Sequence, residues 1–474
     1  MAAPGNNVDV EVTFNQIITE KLCHEHLQGL KTFTTALRND QFRESVAEET
    51  FSALSRVLSR LQEDLQTSIA EGRKPQPVLL QLTAECFRCQ RNACVQNTRN
   101  QDVIRRLGFI NISLKLVKQL LSASMDSRYE PLRCGIQFLG NVAAGNQMSK
   151  DDVWQLVRPN LFLQLLNVDD VKTVDYASMV LHTCLDEAKV EELSQSQNIQ
   201  VALRVMELCK THHDLDWTFL IAIQHFFKSP ALMERMYCEM CHKDRVSLLE
   251  LVLAQIEMSG SDECGVSPGV ARFLADCFQN SCGAVLKLST DACASDDEEA
   301  LTVITLLNVL CEMTSGSRQF LFLQDRPELL AATVELLEQV HAVGKVRKNV
   351  FSSEQNFSST GDSSDSPVIG FKARLIRLIG NLCHKNPNNQ NKVRELDGLP
   401  LILDNCNIDS NNPFICQWAV FAIRNLLEEN AQNQELVASL KREGPVDYSA
   451  LRELGFQVEE RDGSLLLKPV RKDS

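Results

Sequence analysis

The sequence predicts an all-α fold in which helical repeats stack side by side as a solenoid, closed by a small C-terminal helix and hairpin. Amphipathic segments follow one another along most of the chain, with apolar residues at i, i+3, i+4 and i+7. Glycine and proline number only 20 and 14 among 474 residues, which suits long helices joined by short corners. A pattern of asparagine and glutamine residues also returns at intervals of roughly 45 residues, as repeat proteins require.

The repeating pattern is an Asn near the end of a predicted helix, followed eight residues later by an Asn-Gln pair. It occurs as QRNACVQNTRNQ from Gln90, as IGNLCHKNPNNQ from Ile379 and as IRNLLEENAQNQ from Ile423. A looser copy is FLGNVAAGNQ from Phe138. The leading asparagines, called the ladder asparagines below, are Asn92, Asn141, Asn381 and Asn425.

The sequence divides into three parts. Residues 1–344 are a succession of predicted helices, and ASDDEEA from Ala294 carries the acidic residues that favour a helix N-terminus. Residues 345–369 contain SSEQNFSSTGDSSDS, which has no aliphatic residue and therefore predicts a flexible insertion. Residues 370–474 form the C-terminal domain with the last two copies of the pattern. They end in a predicted short helix that stops at Gly455 and a hairpin across Asp462-Gly463.

Composition argues against several classes of protein. The formal charge is −14, from 48 basic and 62 acidic residues, so no basic surplus exists for a general nucleic-acid binder. The 17 cysteines are an odd number within apolar helical patterns, which predicts reduced thiols rather than a disulfide framework. The chain opens without a signal-like segment, and no apolar run approaches about 18 residues. We therefore expect a soluble intracellular protein without membrane insertion.

Four common motifs for catalysis or for phosphate and metal binding are absent from the sequence. It contains no GxSxG, GxxxxGK[ST], HExxH or DxDxDG pattern. His212-His213 lies beside Asp214 and Asp216, which predicts a solvated polar corner rather than a proton relay. We therefore expect neither enzymatic activity nor a cofactor.

The segment CEMCH, spanning Cys238–His242, fits the c-type haem attachment pattern, but the expected lack of export argues against haem. An alternative is a zinc- or thiol-dependent factor that uses Cys238 and Cys241. Further ligands would come from Cys264, Cys277 or Cys282. No second close cysteine pair follows at finger-like spacing, so the sequence favours ordinary thiols.

The Asn, Asn-Gln and Gly pattern resembles the armadillo repeat, in which three helices form a unit and the third ends in an Asn. The corner Gly398-Leu399-Pro400 follows one Asn-Gln pair, and Gly108 takes the matching place in the first copy, within a residue. The resemblance is clear for four units; between Leu161 and Val340 repeats are inferred from helical periodicity only. It implies a superhelix with a long concave groove lined by the third helices.

Residues four and seven positions before each ladder asparagine share its helix face, which we call the groove face. The predicted groove residues are Arg88, Asn92, Gln137, Asn141, Arg374, Arg377, Asn381, Trp418, Phe421 and Asn425. The armadillo resemblance implies that the asparagines hydrogen-bond the backbone of a bound peptide. The alternative is that each Asn satisfies backbone groups of its own protein.

One departure from the armadillo pattern bears on the partner. Import receptors of this class carry Trp four residues before the Asn, where this chain has Arg88, Gln137, Arg377 and Phe421. A nuclear-transport cargo receptor is therefore the weaker alternative. Arg374 and Arg377 favour an acidic or neutral partner segment instead.

A closer resemblance covers most of the chain. The stretch from GFKARLIRLIGNLCHKNPNNQ to WAVFAIRNLLEENAQNQ is similar to the C-terminal domain of the ataxin-10 family, and FRCQRNAC, LRCGIQFLGN and EEALTVITLLNVLCEMT resemble its N-terminal part. The resemblance implies a non-enzymatic, self-associating adaptor in the perinuclear cytoplasm, and at the centrosome, basal body and midbody. It implies roles in neurite outgrowth, neuronal survival and cytokinesis. Implied partners are a G-protein β subunit and the O-linked N-acetylglucosamine transferase.

Two serines fit kinase patterns. Ser295 precedes Asp-Asp-Glu-Glu, as acid-directed kinases require, and Ser366 precedes Pro367 in the predicted flexible insertion. Phosphate at either site would add negative charge that recruits or repels a partner. We therefore expect Ser295 and Ser366 to be phosphorylated.

Overall fold

The computed structural model describes residues 5–123, 125–259, 265–289, 294–316, 318–346, 351, 368–407, 409–440, 456–461 and 464–469. Within these residues the chain forms α-helices, short 3-10 segments and one two-stranded hairpin. The predicted all-α fold is confirmed. The predicted insertion lies mostly outside the described residues, so the domain boundaries at 344 and 370 stay a prediction.

The first compact unit comprises residues 1–240 and 265–270. Its helices are α1 (Gly5–Thr19), α2 (His24–Ala36), α3 (Asp40–Ser45), α4 (Glu48–Ala70), α5 (Pro77–Ala93), α6 (Thr98–Arg106), α7 (Phe109–Ser122), α8 (Tyr129–Ala143), α9 (Gln147–Val157), α10 (Asn160–Leu166), α11 (Val171–Cys184), α12 (Glu187–Leu193), α13 (Ile199–Thr211), α14 (Asp216–Gln224) and α15 (Pro230–Glu239). The 3-10 segments Asp126–Arg128 and Phe226–Lys228 join some of them.

The second compact unit comprises residues 241–264 and 271–474, so the boundary falls inside α17. Its helices are α16 (His242–Ser259), α17 (Pro268–Ser281), α18 (Ala294–Met313), α19 (Pro327–Val346), α20 (Phe371–Cys383), α21 (Pro387–Glu395), α22 (Gly398–Asp404), α23 (Ile415–Leu427) and α24 (Ala431–Ser439), with 3-10 segments at Cys282–Ser289 and Arg318–Asp325. The predicted helix start near Ala294 is confirmed.

The predicted C-terminal hairpin is also confirmed. Strands β1 (Phe456–Arg461) and β2 (Ser464–Pro469) pair antiparallel, with Val458 opposite Leu467. The turn between them and the predicted helix ending at Gly455 lie outside the described residues.

Three-helix repeats are visible as the sets α3–α5, α6–α8, α9–α11, α12–α14 and α21–α23. The third helices, together with α2, α18 and α20, which take the same place and are counted with them below, pack on one another in succession. The order is α2, α5, α8, α11 and α14 in the first unit, and α18, α20 and α23 in the second. A third helix between two neighbours is apolar on most sides because both flanks are buried. In α20 every residue except Arg374 and Arg377 is buried.

The corner after the Asn-Gln pair differs from the prediction. The left-handed residue is Asp397, with φ of 53°, and Gly398 already begins α22. The predicted corner at Gly398-Leu399-Pro400 is therefore wrong, because these residues form the first helical turn. Gly398 is needed for close packing instead, since a Cβ there would lie 2.6 Å from Cγ1 of Val393. Gly108 does take the left-handed conformation, with φ of 76°.

Among the described residues no single helix has the length and apolar composition to cross a membrane. Two consecutive helical segments, Asp297–Met313 and Arg318–Asp325, have that length and composition only when they are counted together. The chain bends by 117° between them.

Candidate protein-binding groove

The ladder asparagines share one hydrogen bond. In each, the side-chain Nδ2 donates to a backbone carbonyl near the end of the preceding third helix, where carbonyls lack an intrahelical partner. The donor–acceptor pairs are Asn92 with Thr34 (3.1 Å), Asn141 with Arg91 (3.1 Å), Asn381 with Cys311 (3.2 Å) and Asn425 with Gly380 (2.9 Å). These asparagines therefore join successive third helices.

The Asn-Gln pair extends the same connection to both neighbours. Asn389 Nδ2 donates to the carbonyl of Leu382 in its own unit and to that of Gln324, both at 2.8 Å. Gln390 Nε2 donates to Asn425 O at 2.8 Å and to Glu428 O at 3.3 Å, at the end of the next third helix. The pair thus satisfies helix-end carbonyls of successive repeats.

The first copy of the pattern has the same hydrogen bonds. Asn100 Nδ2 donates to Ala93 O at 3.1 Å and to Arg43 O at 2.9 Å. Gln101 Nε2 donates to Asn141 O and Ala144 O, both at 2.9 Å. Because the scheme recurs in both compact units, the motif that defines the repeat has a structural role in each.

A further asparagine of the motif escaped the sequence analysis. Five residues after each ladder asparagine, an Asn begins the next helix, and its Oδ1 accepts a backbone N–H three residues on. These caps are Asn97, Asn146, Asn386 and Asn430. The signal was available, because an Asn three residues before the second Asn of the pattern is a helix-start pattern.

The structure brings three predicted groove residues of the second unit together as the C-terminal patch: Arg377, Trp418 and Phe421. The Arg377 guanidinium lies 4.8 Å from the centroid of the Trp418 ring. Trp418 meets Phe421 edge to face at 5.7 Å. All three side chains are half-buried, so each presents part of its surface to solvent.

Arg377 also binds a carboxylate. Its Nη1 and Nη2 lie 2.5 and 3.1 Å from the two carboxylate oxygens of Glu312 on α18. Arg374 instead donates to Ile369 O at 3.0 Å. Burial, together with the neighbouring charge of Arg377, lowers the pKa of the Arg374 guanidinium from its usual value. The charge expected to favour an acidic partner is therefore balanced at Arg377.

The predicted groove residues of the first unit are paired in a similar way. Arg88 bridges Glu85 on its own helix, at 2.9 Å, and Glu130 on α8, at 2.5 Å. Gln137 accepts a hydrogen bond from Arg91 Nη1 at 2.5 Å. The groove face of α5 and α8 is thus a network of matched charges and amides.

The described residues contain no group of three His, Cys, Asp or Glu side chains that could hold a metal ion. Cys238 and Cys241 are exposed, Cys277 and Cys282 are half-buried, and Cys264 lies outside the described residues. Burial raises the pKa of other thiols strongly, to about 12 for Cys311, which suppresses their reactivity. Ser295 is the second residue of α18, and Ser366 lies outside the described residues.

Comparison with known proteins finds one matching family model and relatives that align with most of the chain. A family model described as "Spinocerebellar ataxia type 10 protein domain" matches residues 371–468. Ataxin-10 of Xenopus tropicalis is 45% identical over 92% of this chain and 90% of its own length. Ataxin-10 of Homo sapiens is 40% identical over 94% of this chain and 95% of its own length.

Solved structures give only a loose global likeness. That of SYS-1 covers 89% of this chain and 75% of its own, with a TM-score of 0.39 and 11% identity. A structure from work on the interaction between cadherin and beta-catenin covers 89% of this chain and 96% of its own, with a TM-score of 0.36 and 11% identity. Family membership therefore rests on the sequence relatives, and by their identity and coverage the chain belongs to the ataxin-10 family.

Proposed function

We propose that this protein is a non-enzymatic scaffold that binds segments of other proteins on the groove face of its third helices. The observation that carries the proposal is the C-terminal patch, where a half-buried arginine stacks on a half-buried tryptophan. Trp, Tyr and Arg dominate the binding energy of protein interfaces because they offer large contact areas and a polar group together.

The ladder asparagines and the patch would have different tasks. The asparagine amides already donate to helix-end carbonyls, so most of the affinity would come from Arg377, Trp418 and Phe421. Asn425 is only 1% exposed and its Oδ1 is buried, so a bound segment would contact the patch rather than this amide.

The biological setting of this scaffold follows from family resemblance. We propose roles in neurite outgrowth, neuronal survival and cytokinesis, and location in the perinuclear cytoplasm, centrosome, basal body and midbody. A G-protein β subunit, the O-linked N-acetylglucosamine transferase and further copies of the chain would be its partners. Phosphorylation of Ser295 and Ser366 would regulate binding, and phosphopeptide mapping that finds neither modified in cells would remove this part.

The proposal is tested by quantitative mass spectrometry of proteins recovered with the intact chain. Trp418→Ala removes the centre of the patch. Val420→Ala is the matched control, since Val420 is 63% exposed on the same helix but outside the groove set. Both variants are first shown to fold by circular dichroism and thermal melting. We expect Trp418→Ala alone to lose partners, and an unchanged partner list would place binding on another surface.

A further inference from the structure

The neighbouring helices α11 and α14 carry carboxylates without matching cations. Asp175 on α11 is half-buried, and Asp214 and Asp216 are exposed where α14 begins. Within the described residues, none of the three lies within ion-pair distance of a Lys, Arg or His nitrogen; every recorded pair involves other carboxylates. Helix α14, which Asp216 begins, packs directly against α11. Burial and the charges of the nearby Asp216 and Asp214 raise the pKa of Asp175.

Three other carboxylates near third helices are instead bound by arginines. Asp170, at the start of the same helix α11, accepts a hydrogen bond from Arg133 Nε at 2.8 Å. Glu130 and Glu312 are bound by Arg88 and Arg377. Three neighbouring carboxylates without such a partner cost free energy, because like charges repel and Asp175 is partly desolvated.

The same region presents apolar surface. Helix α14, DWTFLIAIQ, is apolar on nearly every side, yet only Thr218, Ile221 and Ala222 are buried. Trp217 and Leu220 remain half-buried. A helix that is apolar all round is normally enclosed by protein. The half-buried apolar side chains of α14 therefore leave apolar surface that a partner could cover.

Helices α11 and α14 are held together as one surface. The His182 ring lies 5.3 Å from the Trp217 ring, between centroids, and its Nε2 lies 2.9 Å from Gln224 Oε1. Tyr176 on α11, next to Asp175 in the sequence, is also half-buried. The aromatic side chains and the carboxylates therefore lie on the same two neighbouring helices, α11 and α14.

We infer that the α11–α14 face binds a protein segment that carries lysine or arginine side chains between apolar ones. The inference rests on the proposed scaffold function and names the partner chemistry of this part of the groove. The basic side chains lie against Asp175, Asp214 and Asp216, and the apolar ones pack on Trp217 and Leu220. When such a segment binds, its basic side chains attract the three carboxylates, which otherwise repel one another, and its apolar side chains cover α14. Both effects favour a segment that combines basic and apolar residues.

The test uses the full chain and a fluorescein-labelled peptide of alternating lysine and leucine, followed by anisotropy at physiological salt. A peptide of alternating glutamate and leucine is the charge-reversed probe. The test variant combines Asp175→Asn, Asp214→Asn and Asp216→Asn. The control combines Glu63→Gln, Glu191→Gln and Glu234→Gln, which change the net charge equally at exposed positions of the same unit. Circular dichroism verifies that both variants fold.

We expect the test variant to bind the lysine peptide about tenfold more weakly than the wild type, and the control to stay within about twofold. The lysine peptide should also change a tryptophan fluorescence signal that Trp217→Phe removes, and the glutamate peptide should not. Equal weakening of both variants, or no response from Trp217, overturns the inference. Because Trp418→Ala tests the proposed function separately, either idea can fail while the other stands.

Discussion

The α5–α8 and α20–α23 pairs of third helices are joined by different contacts from the α11–α14 pair. Between α5 and α8, and between α20 and α23, a ladder asparagine and a glutamine donate to helix-end carbonyls of the neighbouring repeat. Between α11 and α14 the side chains of His182 and Gln224 make the contact instead. The comparison indicates that the Asn-Gln pattern stabilises the stacking of repeats. Where the pattern stops, other side chains form the contacts between neighbouring third helices.

The largest effect is expected at Gln390. Gln390→Ala would remove the side-chain donor to the carbonyls of Asn425 and Glu428 at the end of the next third helix, and each orphaned buried group costs roughly 1–3 kcal/mol. We expect the free energy of unfolding to fall by about 3 kcal/mol in urea titrations followed by circular dichroism.

Gln434→Ala is the matched control for that substitution. Gln434 is exposed and donates only to Leu427 O within the described residues, so we expect a loss below about 0.5 kcal/mol. Equal losses of unfolding free energy for the two substitutions would show that the hydrogen bonds from Gln390 to the next repeat contribute no additional stability.

A smaller loss of stability is expected when alanine replaces a glycine at which two neighbouring third helices pack closely. A Cβ at Gly380 would lie 2.9 Å from the Phe421 ring and 3.1 Å from the Ala422 backbone, whereas one at Gly140 would meet the flexible end of Met179. Gly380→Ala should therefore cost about 2 kcal/mol, and Gly140→Ala less than about 0.5 kcal/mol. Thermal melting of both variants measures the difference, and a more harmful Gly140→Ala would reverse the comparison.

The ladder asparagines come next in size. Asn141→Ala and Asn425→Ala each remove one donor to a helix-end carbonyl, so we expect losses of about 1 kcal/mol at both positions. Urea titration that finds a loss at only one position would mean that the shared hydrogen bond does not have the same value in the two units.

The smallest effect concerns pH and contrasts a paired with an unpaired carboxylate. Burial alone would raise the pKa of Asp170, but hydrogen bonds from Arg133 and Thr173 lower it below its usual value. Its ionised form therefore stabilises the fold above the unfolded pKa, near 3.9, and that stabilisation is lost as pH falls through the lower folded pKa. Asp170→Asn should lower stability at neutral pH by less than about 1 kcal/mol, with no difference in strong acid.

Asp175 should behave in the opposite way. Its folded pKa is raised, so ionisation destabilises the fold at neutral pH, and the penalty vanishes below the unfolded pKa. Asp175→Asn should therefore slightly increase the melting temperature at neutral pH and leave it unchanged near pH 3. A decrease at neutral pH would mean that Asp175 has a stabilising partner.

Much of the fold was predictable because its signals are local. Helical periodicity, sparse glycine and the recurring Asn-Gln pair identified the repeats, and the acidic break at Ala294 identified a helix start. The corner at Gly398 was misplaced by a residue or two because both a left-handed turn and a close contact select small residues. Sequence alone did not separate these two causes.

The site was less predictable because its contacts are not local. Sequence placed Arg377 on the groove face but did not reveal that Glu312, 65 residues earlier, binds it. It treated Asp214 and Asp216 as a solvated corner, since their approach to Asp175 depends on the packing of α11 against α14. From the sequence, the ladder asparagines could hydrogen-bond either a bound peptide or backbone groups of the protein itself. In the structure their side-chain amides donate to helix-end carbonyls of the protein.

The most direct test of the central claim measures partner recovery and unfolding free energy together in Trp418→Ala and Gln390→Ala. The claim is that the Asn-Gln pattern stabilises stacking and that exposed groove side chains bind partners. It predicts that Trp418→Ala loses partners with the smaller loss of stability, and that Gln390→Ala, below its unfolding transition, loses stability but keeps its partners. Loss of the same partners by folded Gln390→Ala, with full recovery by Trp418→Ala, would contradict it.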